Sequence, residues 1–204
     1  MSRCTQILIS LRNPDPIALT ALGSLRRYLG FEERLLDLRR RILWEVHTPE
    51  GEDPAPWIES MRIAGELWNP NKEVAAIRRP GDPEGALGDP LPGSSGWTMV
   101  LAWDPERDLD RPSRGHARAT TAGRGRSERR LARGILWSLR WREGYQEVHL
   151  REFTREAVLC RGRGEGLLVH PHLEDHCEIL GGESVPWLPD PSPGSSTLTG
   201  PSPA

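Results

Sequence analysis

The sequence predicts an α+β protein made of two tandem β-α-β-β-α-β units, each an antiparallel sheet with helices on one face, set together as a pseudo-dimer. Three observations lead there. The stretch from Arg78 to Gly96 is dense in Pro and Gly (Arg79-Pro80-Gly81-Asp82-Pro83, then Gly88-Asp89-Pro90-Leu91-Pro92-Gly93), so it can sustain neither a helix nor a central strand. The residues before it switch between strand-like and helix-like apolar periods. The residues after it repeat parts of that pattern. The expected organisation is unit 1 over 1–78, a linker over 79–96, unit 2 over 97–182 with an Arg-rich insertion at 106–126, and a disordered Pro/Ser-rich tail over 183–204.

In unit 1, residues 6–11 read as a short strand. Asp15 is a natural N-cap, and Pro16 fits the first helical turn, where its missing N–H costs nothing. Ala18, Ala21, Leu22, Leu25 and Leu29 then recur at helical spacing, and Gly30 stops the helix. Two strands follow: Leu36 and Leu38, then Ile42, Trp44 and Val46, alternate with polar residues on either side of an expected Arg39-Arg40-Arg41 turn. Pro54 and Pro56 open a second helix with Trp57, Met61, Ala64 and Trp68 on one stripe. Asn69-Pro70 ends it, and 74–77 is the last strand.

Unit 2 is read by self-comparison. Sliding residues 16–46 by 114 positions onto 130–160 gives nine identities in 31, among them Leu22/Leu136, Leu25/Leu139, Gly30/Gly144, Leu36/Leu150 and Arg41/Arg155. That alignment predicts a helix starting at Ser127, with Leu131, Ile135, Leu136 and Leu139 on its apolar face, and a strand pair after it. At an offset of 101, Leu67, Pro70 and Glu73 match Leu168, Pro171 and Glu174. Ile7-Leu8-Ile9-Ser10 followed by Asp15-Pro16 resembles Met99-Val100-Leu101-Ala102 followed by Asp104-Pro105. The second helix of unit 2 is expected to shrink to one turn near 164–168.

Composition narrows the function classes. Net charge is −2, which gives no global attraction to nucleic acid. Locally the balance is uneven: 111–142 holds ten Arg against the single acid Glu128, while the flanking segments are acidic. The longest apolar runs are far too short for a membrane span, and Met1-Ser2-Arg3-Cys4-Thr5 lacks a signal core. Cys4, Cys160 and Cys177 are too scattered for a disulfide framework. A cytoplasmic setting is expected.

Chemical motifs are sparse. The cysteines lie in Arg-Cys4-Thr, Leu-Cys160-Arg and His-Cys177-Glu, none with the small flanking residues of an amidotransferase nucleophile turn. No phosphate-binding Gly-Lys-Ser/Thr loop occurs. No catalytic residue and no cofactor is therefore assigned. The segment from His170 to Cys177 gathers His170, His172, His176 and Cys177 with two carboxylates, groups that ligate zinc or nickel when they converge. No second cluster completes a closed site, and a structural turn is favoured over a metal. Arg124, Arg126, Arg129 and Arg130, with Trp137 and Trp141 nearby, make an alternative reading as a nucleic-acid-binding module over 111–142.

The order of short motifs resembles the small-subunit (PurS) family of phosphoribosylformylglycinamidine synthase. In unit 1 the matching elements are Asp15-Pro16, Leu29-Gly30-Phe31, Arg39-Arg40-Arg41 and Leu67-Trp68-Asn69-Pro70-Asn71-Lys72-Glu73. In unit 2 they are Gly144-Tyr145 and Leu167-Leu168-Val169-His170-Pro171-His172-Leu173-Glu174. Where the family has Gly-Lys after the hairpin Arg, both units differ. The resemblance implies a subunit without an active site that bridges the synthetase and glutaminase subunits during glutamine-dependent, ATP-driven amination in purine biosynthesis. A tandem pair of such units occurs at the N-terminus of the long single-chain synthases. It makes Asp15, Arg39, Arg40, Arg41, Asn69, Pro70, Arg155, His170 and Pro171 the candidates for partner contact. Nucleic acid is not an expected partner, and self-association of the fused pair is left open.

Overall fold

The computed structural model describes residues 3–79, 81–82, 96–104, 130–162, 166–179 and 185–188. Along the chain run β1 (Arg3–Leu11), α1 (Pro16–Tyr28), β2 (Leu35–Thr48), α2 (Ala55–Ala64), β3 (Glu73–Arg78), β4 (Trp97–Trp103), β5 (Arg130–Trp141), α3 (Glu147–Val158) and β6 (Asp175–Ile179). The strands form one antiparallel sheet in the order β3-β1-β2-β5-β4-β6. The α+β class therefore holds. Each half contributes its third, first and second strand counted from its outer edge inward, and the halves meet where β2 pairs with β5, Ile42 opposite Ile135.

Side-chain alternation sorts the sheet into two faces. On one, Ile7, Ile9 and Val46 pack with Ile58 and Met61 of α2. Val100, Ala102 and Leu139 pack with Ala157 and Val158 of α3, in a cluster that also takes in Ala18, Ala21 and Leu25 of α1. The three described helices thus share this face. Trp141 is enclosed there: its Nε1 donates to Thr98 Oγ1 at 2.8 Å, and Phe31 and Phe153 lie beside its ring. On the other face, Leu8, Leu43, Met99, Leu101 and Leu136 form a second core. Its cover includes a strap at 185–188, whose Val185 and Leu188 are buried in it. That strap corrects the expectation that everything from 183 onward is disordered tail. The remainder of the tail, most of the linker and the insertion 106–126 lie outside the described residues.

Several elements follow local chemistry as expected. Asp15 caps α1, its Oδ1 accepting from Ile17 N at 2.8 Å, with Pro16 at the first helical position. Arg26 in the last turn donates to the carbonyls of Leu35 and Leu36 at 2.8 and 2.7 Å and ties helix to strand. Gly65 ends α2 in the left-handed conformation, earlier than the expected Asn69-Pro70 stop.

Three expectations are overturned. The residues Arg39-Arg40-Arg41 do not turn: β2 runs unbroken through them, so among the described residues each half has three strands where four were expected. Nothing between Asp37 and Ile42 is a Gly, Pro or Asn that would favour reversal. Residues 130–141 form strand β5, not a helix. A central strand covered on both faces is apolar on both, so Leu131, Ile135, Leu136 and Leu139 mimic a helical stripe although Leu131, Ile135, Trp137, Leu139 and Trp141 also alternate. Gly134 favours the strand as well, because its missing side chain leaves room for Leu101 and Leu188. Finally, α3 is a full 12-residue helix where strands were expected, followed by no one-turn helix at 164–168 among the described residues. The 114-residue slide thus superposes α1 on β5 and β2 on α3. Gly144-Tyr145 joins a strand to a helix, whereas Gly30-Phe31 joins a helix to a strand.

Candidate functional site

The two Pro turns are built alike. Each precedes the outer strand of its half. In the first, Asn69 O accepts from Lys72 N and Glu73 N, and Glu73 Oε2 accepts from Asn69 N at 2.6 Å. In the second, His170 O accepts from Leu173 N and Glu174 N, and Glu174 Oε2 accepts from His170 N at 3.0 Å. Leu67 and Leu168 anchor both turns as buried side chains. Asn69 Oδ1 adds a bond from Asn71 N, and Pro70 O accepts from the Arg12 guanidinium. The 101-residue offset therefore marks a repeated structure, and it leaves Pro171, His170 and His172 exposed on one edge of the sheet.

The Arg triplet is divided between the faces by strand alternation. Arg40 points to the helix side and pairs with the cap residue, Nη1 to Asp15 Oδ2 at 3.2 Å. Arg39 pairs with Asp37 at 3.0 Å, and its guanidinium lies 4.9 Å from the centre of the Trp97 ring. Arg41 is buried and donates to Ser138 Oγ across the β2–β5 junction. Arg155 on α3 binds Glu178 of β6 at 2.6 Å, which raises the Arg155 pKa mainly through that hydrogen bond. The Arg155 side chain is about half exposed, although that of Glu178 is mostly covered, so Arg155→Ala is expected to cost less than about 1 kcal/mol in urea denaturation; a loss beyond 2 kcal/mol by that measurement, as an order-of-magnitude bound, would mean that the pair is a fold determinant.

A different group, which no motif announced, sits under the strap on the face opposite the described helices. Cys4 lies opposite His47 and Gln6 opposite Glu45 in the β1–β2 register. Glu45 is fully buried. Its Oε1 accepts from Gln6 Nε2 at 2.6 Å and from the strap's Leu188 N at 2.6 Å. Gln6 Nε2 also donates to Pro186 O at 2.8 Å, and Arg78 donates to Val185 O. The other carboxylate oxygen, Oε2, lies 3.6 Å from Cys4 Sγ and 3.5 Å from His47 Nε2. Cys4 Sγ is 3.9 Å from the same His47 nitrogen. A nucleophile relay needs the base to use its two ring nitrogens in opposite directions, toward the thiol and toward the carboxylate. Here thiol and carboxylate meet one nitrogen, so the group is a convergent cluster and not a triad.

The residues singled out as metal candidates fare differently. The rings of His170 and His172 are 5.7 Å apart. His176 and Cys177 are neighbours on β6 and so face opposite sides of the sheet. Among the described residues, the potential ligand atoms that converge are those of Cys4, Glu45 and His47. Arg124, Arg126 and Arg129 lie outside the described residues, and Arg130 is described only as backbone at the start of β5.

Comparison with protein-family models, with curated proteins and with solved structures finds no match to the chain. Among the described residues, no helix is long and apolar enough to cross a membrane. The Cys4–Glu45–His47 cluster could have been sought as a Glu-x-His pair on one face of a strand, but only the β1–β2 register adds Cys4 to it.

Proposed function

We propose that the chain is a non-catalytic, cytoplasmic subunit of a phosphoribosylformylglycinamidine synthase complex, made of two tandem PurS-like units that form a pseudo-dimer. In this reading it bridges the synthetase and glutaminase subunits and supports glutamine-dependent, ATP-driven amination in purine biosynthesis. The observation that carries the reading is the repeated Pro turn ahead of β3 and β6, built on the same hydrogen bonds at a constant spacing. The mirrored strand order around the β2–β5 junction supports the same duplication. Two equivalent turns at opposite sheet edges suit a part that holds two partners apart. Isologous pairs of identical subunits present the same patch twice; a fused pair can let the two patches diverge, as Asn69 and His170 have.

Co-expression with the synthetase and glutaminase proteins tests this. Both should co-purify with the chain, and glutamine-dependent amination by the pair should require it. Retention of neither partner, together with full glutamine-dependent activity in its absence, would overturn the reading. Replacing the turn residues in one half at a time (Asn69→Ala with Pro70→Ala, or His170→Ala with Pro171→Ala) should release one partner and keep the other.

A further inference from the structure

The geometry points to a zinc site formed by Cys4 Sγ, Glu45 Oε2 and His47 Nε2, independent of the function proposed above. Zinc takes a thiolate at about 2.3 Å and an imidazole or carboxylate at about 2.0–2.2 Å, which puts the donors of a tetrahedral site roughly 3.4–3.6 Å apart. The three separations here are 3.5, 3.6 and 3.9 Å. One ion at the centre of this triangle reaches all three atoms with little movement.

Three further features fit. The donors come from facing positions of paired strands, so the backbone register fixes their spacing before any metal binds. Glu45 is oriented from behind: Gln6 Nε2 and Leu188 N hold Oε1, which leaves Oε2 as a single forward-facing ligand. Charge also balances. Glu45 is fully buried, and a thiolate with a carboxylate carries two negative charges that a divalent cation neutralises. A thiolate, an imidazole and one carboxylate suit zinc and do not suit magnesium or calcium, which take oxygen sets. Three protein ligands leave a fourth position on the half-buried Cys4 side for water or an exogenous donor.

The test uses the full chain with Cys160→Ser and Cys177→Ser, so that Cys4 is the remaining thiol. Dialysis against zinc should load one equivalent per chain and raise the melting temperature, whereas magnesium should do neither. Cobalt in place of zinc should give a thiolate-to-cobalt charge-transfer band and the intense visible absorption of a tetrahedral ion. Cys4→Ser should abolish the charge-transfer band, and His47→Ala should weaken uptake at least tenfold. Absence of the band in the double-serine chain overturns the proposal, and so does zinc uptake unchanged by Cys4→Ser and His47→Ala. Should those variants not fold, the cobalt spectrum of the double-serine chain decides alone.

Discussion

Gly166→Ala should leave little folded protein. Gly166 has φ +52°, and a β-carbon built there would lie 2.0 Å from the carbonyl oxygen of Leu159 and 2.2 Å from its carbonyl carbon. The obstacle is backbone, so no rotamer change relieves it. The close approach has a cause: the segment after Gly166 folds back along the end of α3, where Leu167 N and Leu168 N donate to the carbonyls of Ala157 and Val158 and Cys160 N donates to Val169 O. Leu159, Leu168 and Val169 are buried by this return. Opening it far enough for a methyl group would break that pairing and pull three apolar side chains from the core, which places the loss at about 4 kcal/mol or more, the range of severe core disruption. Far-ultraviolet circular dichroism and thermal melting of the purified variant check it. Wild-type stability in Gly166→Ala would show that the return strand is not held as described.

The second large effect is expected at Glu45. Glu45→Ala removes the acceptor for Leu188 N and one of two acceptors for Gln6 Nε2. An orphaned buried donor costs about 1–3 kcal/mol. With the cavity added, a loss of about 2–4 kcal/mol is expected, or roughly 5–15 °C in melting temperature for a chain of this size. Measured in a chelator, the effect is separated from any bound metal. Glu45→Gln keeps one acceptor oxygen and should recover part of the loss. A melting temperature within 2 °C of wild type, as an approximate bound, would mean that the strap does not depend on this carboxylate.

How far the fold was legible depended on what covers each element. In the first half α1 read well, since Asp15 and Pro16 open it as their chemistry requires; of the stripe expected for the second helix, Met61 and Trp68 are buried, whereas Ala64 is exposed and the buried Ile58 lay outside it. The centre of the sheet read only in part: the alternation of Leu36, Leu38, Ile42, Trp44 and Val46 marked β2 as strand but not as one unbroken strand, and β5, apolar on both of its covered faces, read as a helix. Arg41 deepened the error: a buried Arg, satisfied by Ser138 and others, looks in the sequence like part of a solvent-exposed basic turn. The Pro turns were legible because local hydrogen bonding alone builds them. The Cys4–Glu45–His47 cluster was not, since it unites residues about forty positions apart through a strand register that no local pattern encodes.

The strap has a consequence for synthesis. Gln6, Glu45 and Arg78 belong to strands made early, yet carbonyls and an amide that bond to them belong to 185–188, as many as 180 residues later. Until those residues leave the ribosome, Gln6, Glu45 and Arg78 lack their bonds to the strap, and the apolar face of the first half lacks the cover of Val185 and Leu188. The first half is then least stable before the strap is made. Contacts this distant in sequence also make for slow closure. The nascent chain is expected to wait, partly folded, until residues 185–188 have been made, and a binding protein that shields the face under the strap during that interval would act on yield, not on final stability.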